Sequence, residues 1–437
     1  MIFKDKKNKT INNIINKTSS IKNFIINNMY KEIISISDNI NNSITKIFKD
    51  NSKKLIEKKT SINDGLIFHL KNAICNSTHE KTTSYLNINK QSNISRQAYE
   101  NRSDLFNYEQ LKIINDNLYS NNSYKNNFNI NDNNEAINFI DGTNINIYDK
   151  NSVNGYKNIN ILGLTNNNNN GFLFTNDINN IKQSESKLFY KLLNVNSFEK
   201  NDIIVVDRYY FSKKFIKSCN QKKIKFIARI KSNSNVVDKF NIYLENQQKK
   251  INYNQFDYKC KYYDNNIRII TFKSNNDYVH IATNIFNKKK DINYFKNKYG
   301  NRWNVEIYFK HIKKNSSINK ITSHKLKTIN NIILSSSINQ IIIDRIISVY
   351  NKFNKDKEKK IDITNFYNLY SEKLLYKIIN KSLSEEEFTN LIILSISFYK
   401  KKIKKEKSTI RYAIMPYYKW HYKFISNLNK KVEEKID

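Results

Sequence analysis

Two aspartates follow apolar runs of the chain, and their position suits them for metal-ion chemistry. Asp141 comes directly after the largely apolar residues 137–140, and Asp207 comes after residues 203–206. Such short runs are typical of buried strands. Carboxylates at the ends of two strands can converge on one site, and magnesium prefers oxygen ligands. The pattern therefore predicts a metal site that could support in-line displacement at a phosphodiester.

A third carboxylate, Glu306, lies in a segment with helical spacing. Three basic side chains share its face: Arg302, Lys310 and Lys313. A neighbouring apolar stripe, which includes Val305 and Phe309, can pack on a sheet. An ordinary amphipathic helix, with salt bridges from Glu306 to Arg302 and Lys310, would have the same spacing. For an isolated helix, this ordinary interpretation is the preferred one.

The segment that must position these carboxylates has an α/β pattern. From about residue 135, short β-branched runs alternate with helical patterns, which favours a sheet flanked by helices. We expect Asp141 at a strand end, where the chain bends at Gly142 before the next strand. The predicted strands are 137–140, 145–148, 159–164, 203–206 and 224–230, and the predicted helices are 185–194 and 212–219. A further strand-like block predicts a β-rich insertion at about 235–290.

Helical patterns flank this segment on both sides. Residues 1–130 are predicted to be a helical, DNA-binding N-terminal region, and residues 351–437 a helical C-terminal region. Ser95 has the character of a helix cap, and the basic residues that follow, Arg96 and Arg102, could meet DNA phosphates or bases. A simply solvated helix is the alternative.

The charge balance indicates a polyanionic partner. The chain has 437 residues, with 75 Lys and Arg against 39 Asp and Glu, and a formal net charge of +36. Part of the lysine content reflects an AT-rich coding sequence, since the chain has only 6 Gly and 1 Pro. The surplus of basic residues still favours nucleic acid over a membrane surface.

Several other classes of protein do not fit the sequence. The cysteines Cys75, Cys219 and Cys260 lie far apart, so we expect neither a disulfide framework nor a zinc ribbon. The first 28 residues lack the apolar run of a signal peptide. The Ile-rich stretch 328–350 is interrupted by Asp344 and Arg345, so we expect no membrane span.

One segment matches a known family signature. The pattern Tyr-x2-Arg-x3-Glu-x6-Lys is met by Tyr299, Arg302, Glu306 and Lys313. It resembles the signature of DDE transposases of insertion sequences of the IS-four type. Asp141-Gly142-Thr143 is similar to the surroundings of the family's first catalytic Asp, and residues 206–210 resemble those of the second. Tyr209 stands where the family usually has glycine. The resemblance covers about residues 135–345.

This resemblance implies a fold and a set of site residues. The fold would be a ribonuclease-H-like catalytic core over residues 135–350, interrupted by the β-rich insertion. The implied catalytic and metal-binding residues, which would hold two Mg²⁺ ions that Mn²⁺ can replace, are Asp141, Asp207 and Glu306. The implied DNA-binding residues are Tyr299, Arg302, Lys313, Arg208 and Lys310. We expect Trp303 to pack in the core.

The implied activity is cut-and-paste DNA transposition. Metal-dependent cleavage at the transposon ends would be followed by strand transfer into double-stranded target DNA. Cutting two ends implies a homodimer assembled on DNA, and an intracellular protein located with the DNA. Two alternatives stay open: a catalytically inactive or domesticated DNA-binding derivative, and a structure-specific nuclease with the same core.

Overall fold

Nine strands form the central sheet of the computed structural model. The structure describes residues 2–49, 59–74, 77–120, 136–148, 156–166, 171–174, 184–194, 198, 200–231, 255–274, 277–323, 325–353, 359–398 and 401–402. The strands are β1 (Ile137–Tyr148), β2 (Tyr156–Asn166), β3 (Gly171–Phe174), β4 (Ile203–Val206), β5 (Lys225–Ile230), β6 (Gln255–Tyr262), β7 (Asn265–Ser274), β8 (Asp277–Thr283) and β9 (Lys320–Ile321). Their order is β3-β2-β1-β4-β5-β8-β7-β6, and β9 pairs with β1.

The first five strands have the ribonuclease-H-like arrangement. Strand β2 runs antiparallel to both β1 and β3, while β4 is parallel to β1 and to β5. Strands β6, β7 and β8 continue the same sheet with antiparallel pairings, beginning with β8 against β5. The predicted mixed α/β fold with a ribonuclease-H-like core is therefore confirmed. Residues 232–254 of the predicted insertion lie outside the described residues.

The first strand differs from the prediction of two strands with a bend between them. Strand β1 is continuous over twelve residues. Gly142 and Thr143 pair with Leu162 and Ile161 of β2, so the ladder crosses the expected bend without a break. The prediction that Asp141 ends a strand was wrong because β2 supplies backbone partners along the whole of β1.

Thirteen α-helices accompany the sheet within the described residues. They are α1 (Ile2–Phe48), α2 (Ile62–Asn72), α3 (His79–Lys90), α4 (Arg96–Ser103), α5 (Tyr108–Ser120), α6 (Glu185–Asn194), α7 (Lys213–Gln221), α8 (Ile292–Gly300), α9 (Trp303–Asn315), α10 (Leu326–Phe353), α11 (Ile363–Leu369), α12 (Leu375–Ile379) and α13 (Glu385–Phe398). A π-helical turn, Tyr370–Leu374, joins α11 to α12, and a small ladder pairs β10 (Lys359–Lys360) with β11 (Lys401–Lys402).

Alternating side chains of the strands divide the core between the two faces of the sheet. Phe139 and Val205 point to the face covered by α8 and α9. Ile140 and Val206 point to the opposite face, which α6 and α7 cover. Since successive side chains of a strand point to opposite faces, the position of any residue on β1 or β4 can be assigned to one face. This division decides which side chains can meet Asp141.

The long helix α10 is a core helix. Its length and apolar composition would suit a membrane span, but 83% of its most apolar window is buried inside the protein. Arg345 within it donates to Glu32 of α1 and to the carbonyl of Leu118 in α5. Both charged side chains are almost fully buried, so the ion pair joins the N-terminal helices to α10.

Helix α4 begins where the sequence predicts. The Ser95 hydroxyl accepts a hydrogen bond from the backbone of Ala98, which caps the helix. Arg102, however, is buried and donates to the carbonyl of Thr60, so it does not face DNA as proposed from the sequence. Arg96 forms ion pairs with Glu80 and Glu100. The buried position of Arg102 follows from the packing of α4 against α2, which the sequence pattern does not show.

Candidate active site

The two aspartates lie side by side where the parallel pairing of β1 with β4 ends. The pairing of β1 with β4 ends at Ile140 opposite Val206, and Asp141 and Asp207 each come one residue later. Beyond this point β4 stops, and the Asp207 carbonyl accepts a hydrogen bond from the backbone of Tyr210 to form a turn. The register of the parallel pair thus brings the two carboxylates to the same place, as predicted.

The third carboxylate reaches this place from helix α9. Glu306 lies in the first turn of α9, one helical turn after Arg302. Arg302 Nη1 donates to Asp141 Oδ2 at 2.7 Å, and Nη2 donates to Glu306 Oε1 at 2.6 Å. One guanidinium therefore bridges the first and third carboxylates. The salt bridge between Arg302 and Glu306 exists, but it extends across the fold to Asp141 and is more than a feature of an ordinary helix.

Two further signature residues are close to this cluster. The guanidinium carbon of Arg302 is 5.9 Å from the centre of the Tyr299 ring. Lys313 Nζ donates to Thr143 Oγ1 at 2.7 Å. Because Thr143 is two residues after Asp141, both point to the α9 face of β1. Burial lowers the pKa of the Lys313 ammonium group. Two signature residues, Arg302 and Lys313, therefore contact successive positions on the same face of β1, Asp141 and Thr143.

A glycine allows α9 to come this close to the sheet. Gly163 of β2 is the register partner of Asp141, so both residues belong to the same face. A Cβ at Gly163 would lie only 2.4 Å from Cε1 of Phe309, which is three residues after Glu306. The missing side chain leaves the space that the Phe309 ring occupies. Gly163 therefore allows the helix that carries Glu306 to pack closely on the sheet that carries Asp141.

Glu185 contacts the site from the opposite face, and sequence reasoning did not single it out. A Cβ added to Gly142 would lie only 2.1 Å from the carboxyl carbon of Glu185, so the carboxylate occupies the space that a side chain at position 142 would need. It also accepts a hydrogen bond from the hydroxyl of Tyr210, which lies just after Asp207. Glu185 thereby links α6 to the backbone beside both aspartates. Its only sequence signal is its place at the start of a predicted helix.

The protein makes Asp141 unusually hard to ionise. Burial raises the pKa of its carboxyl from 3.8 to about 6, and the nearby charges of Glu185 and Asp207 act in the same direction. Arg302 and the backbone N–H of Gly142 oppose this effect without cancelling it. A negative charge at Asp141 is therefore under-compensated, which is the condition that favours binding of a cation.

We expect the replacement Asp141→Asn to stabilise the protein at neutral pH. The unfolded carboxyl ionises near 3.8 and the folded one near 6, so ionisation in the folded state costs about 2–3 kcal/mol above pH 6. Asparagine avoids this cost. The gain should be present at pH 7.5 and should decrease as the pH falls from about 6 towards 3.8, because the folded wild-type carboxyl then becomes protonated and the cost of ionising it disappears. Urea unfolding at pH 7.5, 5.5 and 4 measures it, and a loss of stability at pH 7.5 would contradict the electrostatic account.

The remaining sequence-predicted residues lie on the surface. Arg208 and Lys310 are exposed, and within the described residues neither bonds to the three carboxylates. Trp303 is 50% exposed, so the prediction that it packs in the core was wrong. Helix α9 buries the stripe that begins with Val305, and Trp303, two residues earlier, points away from it.

The turn after Asp207 does not need the glycine that the family usually has. Tyr209 is not one of the described non-glycine residues that have a positive φ. The tyrosine therefore adopts an ordinary backbone conformation, with its ring 57% exposed and its hydroxyl 3.3 Å from Ser186 Oγ. The departure from the family pattern leaves the position of Asp207 intact.

The donor set fits magnesium in its chemistry. Three carboxylates meet at one end of the sheet, and hard divalent cations bind carboxylate oxygen. Within the described part of the chain, no three Asp, Glu, His or Cys side chains are arranged to surround one ion. Arg302 instead occupies the space between Asp141 and Glu306. The site has suitable ligands, and at present a guanidinium supplies the positive charge.

The chain is similar to known proteins over its α/β part and, more distantly, over most of its length. Residues 133–338 match a family model described as the transposase DDE domain, and this match supports a DDE transposase. No curated protein matches the chain. A solved structure described as a piggyBac transposase synaptic complex with hairpin DNA, determined by cryo-EM, is 12% identical, with a TM-score of 0.40, and the alignment covers 87% of this chain and 86% of that chain. Because the likeness is distant, the residue assignments depend on the contacts described above.

Proposed function

We propose that this chain is a DNA transposase that cleaves transposon ends and transfers the freed strands to a target, in a cut-and-paste reaction that depends on divalent metal. The observation that carries the proposal is the meeting of three carboxylates beside a bridging arginine. Asp141 and Asp207 come from adjacent parallel strands, and Arg302 ties Glu306 to Asp141. The family match over residues 133–338 supports the same activity.

In this proposal the carboxylates of Asp141, Asp207 and Glu306 hold two magnesium ions, which manganese can replace. When bound, such ions activate an attacking oxygen and stabilise a leaving oxygen at phosphorus. The chain's own contribution is to fix the carboxylates: strand register fixes the two aspartates, and the packing of α9 on Gly163 fixes Glu306. Glu185 and Tyr210 hold the turn after Asp207 against α6.

The basic side chains around the carboxylates would bind the DNA backbone. Arg302 and Lys313 are on one face of α9 with Glu306, and Tyr299 lies beside Arg302. The exposed cations Arg208 and Lys310 would add contacts to phosphates. We propose that the N-terminal helices also bind double-stranded DNA, that a homodimer assembles on it, and that the protein acts inside the cell where the DNA is.

Two other functions would use the same core. A domesticated derivative would bind DNA without cutting it, and a structure-specific nuclease would cut without joining. The geometry favours the transposase, because Asp141, Asp207 and Glu306 are all present and Arg302 joins Asp141 to Glu306. The cations on α9 also suit the holding of a DNA end through several steps.

The test is cleavage and joining of DNA that carries the gene's own flanking sequences. The purified full chain is incubated with this DNA and Mg²⁺, Mn²⁺ or EDTA, beside its Glu306→Gln variant. We expect cuts at the flank boundary and joined products with either metal, and neither product with EDTA or with the variant. Sequencing of the products locates the cuts.

Other outcomes identify the alternatives. Binding of the flanking DNA without cutting by either protein indicates a DNA-binding derivative. Cutting without joining, even with a target plasmid present, indicates a nuclease. Cutting by the Glu306→Gln variant at the wild-type rate would show that Glu306 does not take part in catalysis.

A further inference from the structure

Arg302 uses the oxygens that a metal ion would need. Its two terminal nitrogens each donate to a different carboxylate, Oδ2 of Asp141 and Oε1 of Glu306. The Arg302 side chain is only 14% exposed, and the side chains of Asp141 and Glu306 are 21% and 32% exposed. Charge-assisted hydrogen bonds of this length in a half-buried setting are among the stronger polar contacts in proteins. An ion that takes these two oxygens must displace these contacts.

The arginine also offsets part of the local negative charge. Asp141 and Glu306 both accept hydrogen bonds from it, and its positive charge opposes the effect of burial on the pKa of Asp141. With Arg302 in place, the cost of keeping Asp141 and Glu306 close together is reduced without any metal. In this state the described residues contain no group of three ligands ready for an ion.

A DNA phosphate is the partner that could take Arg302 away. Phosphate oxygens accept two parallel hydrogen bonds from a guanidinium, as carboxylates do. Arg302 is at the N-terminal boundary of α9, where its side chain makes no capping bond, so it can turn without breaking the helix. Lys313 and the exposed Lys310 lie on the same helix and would bring phosphates to it.

We propose that Arg302 couples metal binding to DNA binding: in the free protein it neutralises Asp141 and Glu306, and it releases them when a DNA phosphate takes its guanidinium. This inference rests on the proposed function, since it needs both ligands. The reaction site would then assemble chiefly on DNA. Cleavage chemistry is in this way restricted to the complex, which protects the cell from a metal-loaded enzyme without its correct substrate.

Thermodynamic linkage predicts the direction in which removal of Arg302 changes the affinity for the metal ion. If Arg302 competes with the ion, then its removal tightens metal binding in the absence of DNA. If Arg302 only positions the carboxylates, its removal loosens the site and weakens metal binding. In the wild type, DNA should tighten metal binding, and metal should tighten DNA binding by the same factor, typically about 5- to 150-fold for such couplings.

The experiment measures Mn²⁺ binding to the full chain by electron paramagnetic resonance, without DNA. The proteins are the wild type, Arg302→Gln, Arg302→Lys, Glu306→Gln and Lys314→Gln. Lys314 is a matched control, because it lies on the same helix, bonds to Thr364 and touches neither carboxylate. We expect Arg302→Gln to bind Mn²⁺ at least about 5-fold more tightly than the wild type. Lys314→Gln should stay within about 2-fold of it.

Arg302→Lys keeps the charge but cannot bridge both carboxylates, so we expect an intermediate affinity. Circular dichroism melts establish whether each variant is folded. If Arg302→Gln does not fold, the comparison of Arg302→Lys with the wild type still tests the proposal. A second titration adds duplex DNA of the gene's flank. It should tighten Mn²⁺ binding in the wild type and have little effect in Arg302→Gln.

The outcomes separate this inference from the proposed function. Weaker or unchanged Mn²⁺ binding by both Arg302 variants overturns the coupling, while loss of binding in Glu306→Gln would leave the metal site itself standing. If the wild type binds no Mn²⁺ with or without DNA, or if Glu306→Gln binds it as well as the wild type does, the proposed metal site fails and the coupling fails with it.

Discussion

Replacing Asp207 by asparagine is expected to abolish DNA cleavage while leaving the fold intact. The side chain keeps its shape but loses the charge that would bind a metal ion. The turn after Asp207 depends on its backbone carbonyl, which the substitution does not change. Loss of one metal-binding carboxylate removes several kcal/mol of transition-state stabilisation, so the rate should fall by about 10³-fold or more.

The measurement is single-turnover cleavage of the flanking DNA in Mg²⁺, with DNA binding measured in parallel. The exposed Asp264 provides a matched control, because it lies in the β6–β7 turn in the left-handed conformation that asparagine also tolerates. Asp264→Asn should cleave at the wild-type rate. Cleavage by Asp207→Asn within about tenfold of the wild type, at full occupancy of DNA, would mean that Asp207 does not contribute a metal ligand.

Local patterns in the sequence predicted local structure well. The apolar run 203–206 is strand β4, and residues 185–194 form helix α6 with the predicted bounds. The continuous apolar run of β4 matches a strand that is buried on both faces, while in α6 the spacing of apolar residues records which face of the helix is buried. The same reasoning correctly placed Arg302 and Glu306 on one face of a helix.

Features that depend on partners distant in the chain could not be predicted. Residues 137–148 read as two strands because polar residues stand in the middle, but backbone pairing with β2 holds them in one. Arg302 reaches Asp141 across 161 positions of the chain, and this contact depends on how α9 crosses the sheet. The sequence places Glu185 only at the start of a helix. Its contact with Gly142 could not be predicted, because it forms only when α6 packs on the sheet.

The exposure of Trp303 follows from the same limitation. A large aromatic residue at a helix start is often buried, and the sequence does not show which face of α9 meets the sheet at that end. The stripe of Val305 and Phe309 takes that face, so Trp303 points outward next to Arg302. The register of a helix on its sheet is a tertiary property that periodicity alone leaves undetermined.

Replacing Gly163 by alanine is expected to damage the site from within the fold. The new Cβ would lie 2.4 Å and 2.6 Å from two ring atoms of Phe309, closer than real Cβ contacts occur. Phe309 is only 6% exposed, so its ring has little room to turn away. Helix α9 must move outward, and Glu306 moves with it. We expect a loss of about 1–3 kcal/mol in the free energy of unfolding and a fall in cleavage of about 10²-fold.

Chemical denaturation and single-turnover cleavage measure the two effects, and Gly300 is the matched control. An added Cβ at Gly300 meets no atom within 4 Å, so Gly300→Ala should change neither quantity appreciably. Phe309→Leu removes the ring atoms that would clash and should restore part of the stability and the activity when combined with Gly163→Ala. If the double mutant loses as much stability and activity as the two single substitutions lose together, the ring contact does not set the position of α9. Full recovery of stability without recovery of cleavage would instead mean that Glu306 depends on the ring itself, since leucine fills the gap but does not hold the helix at the same distance from Asp141.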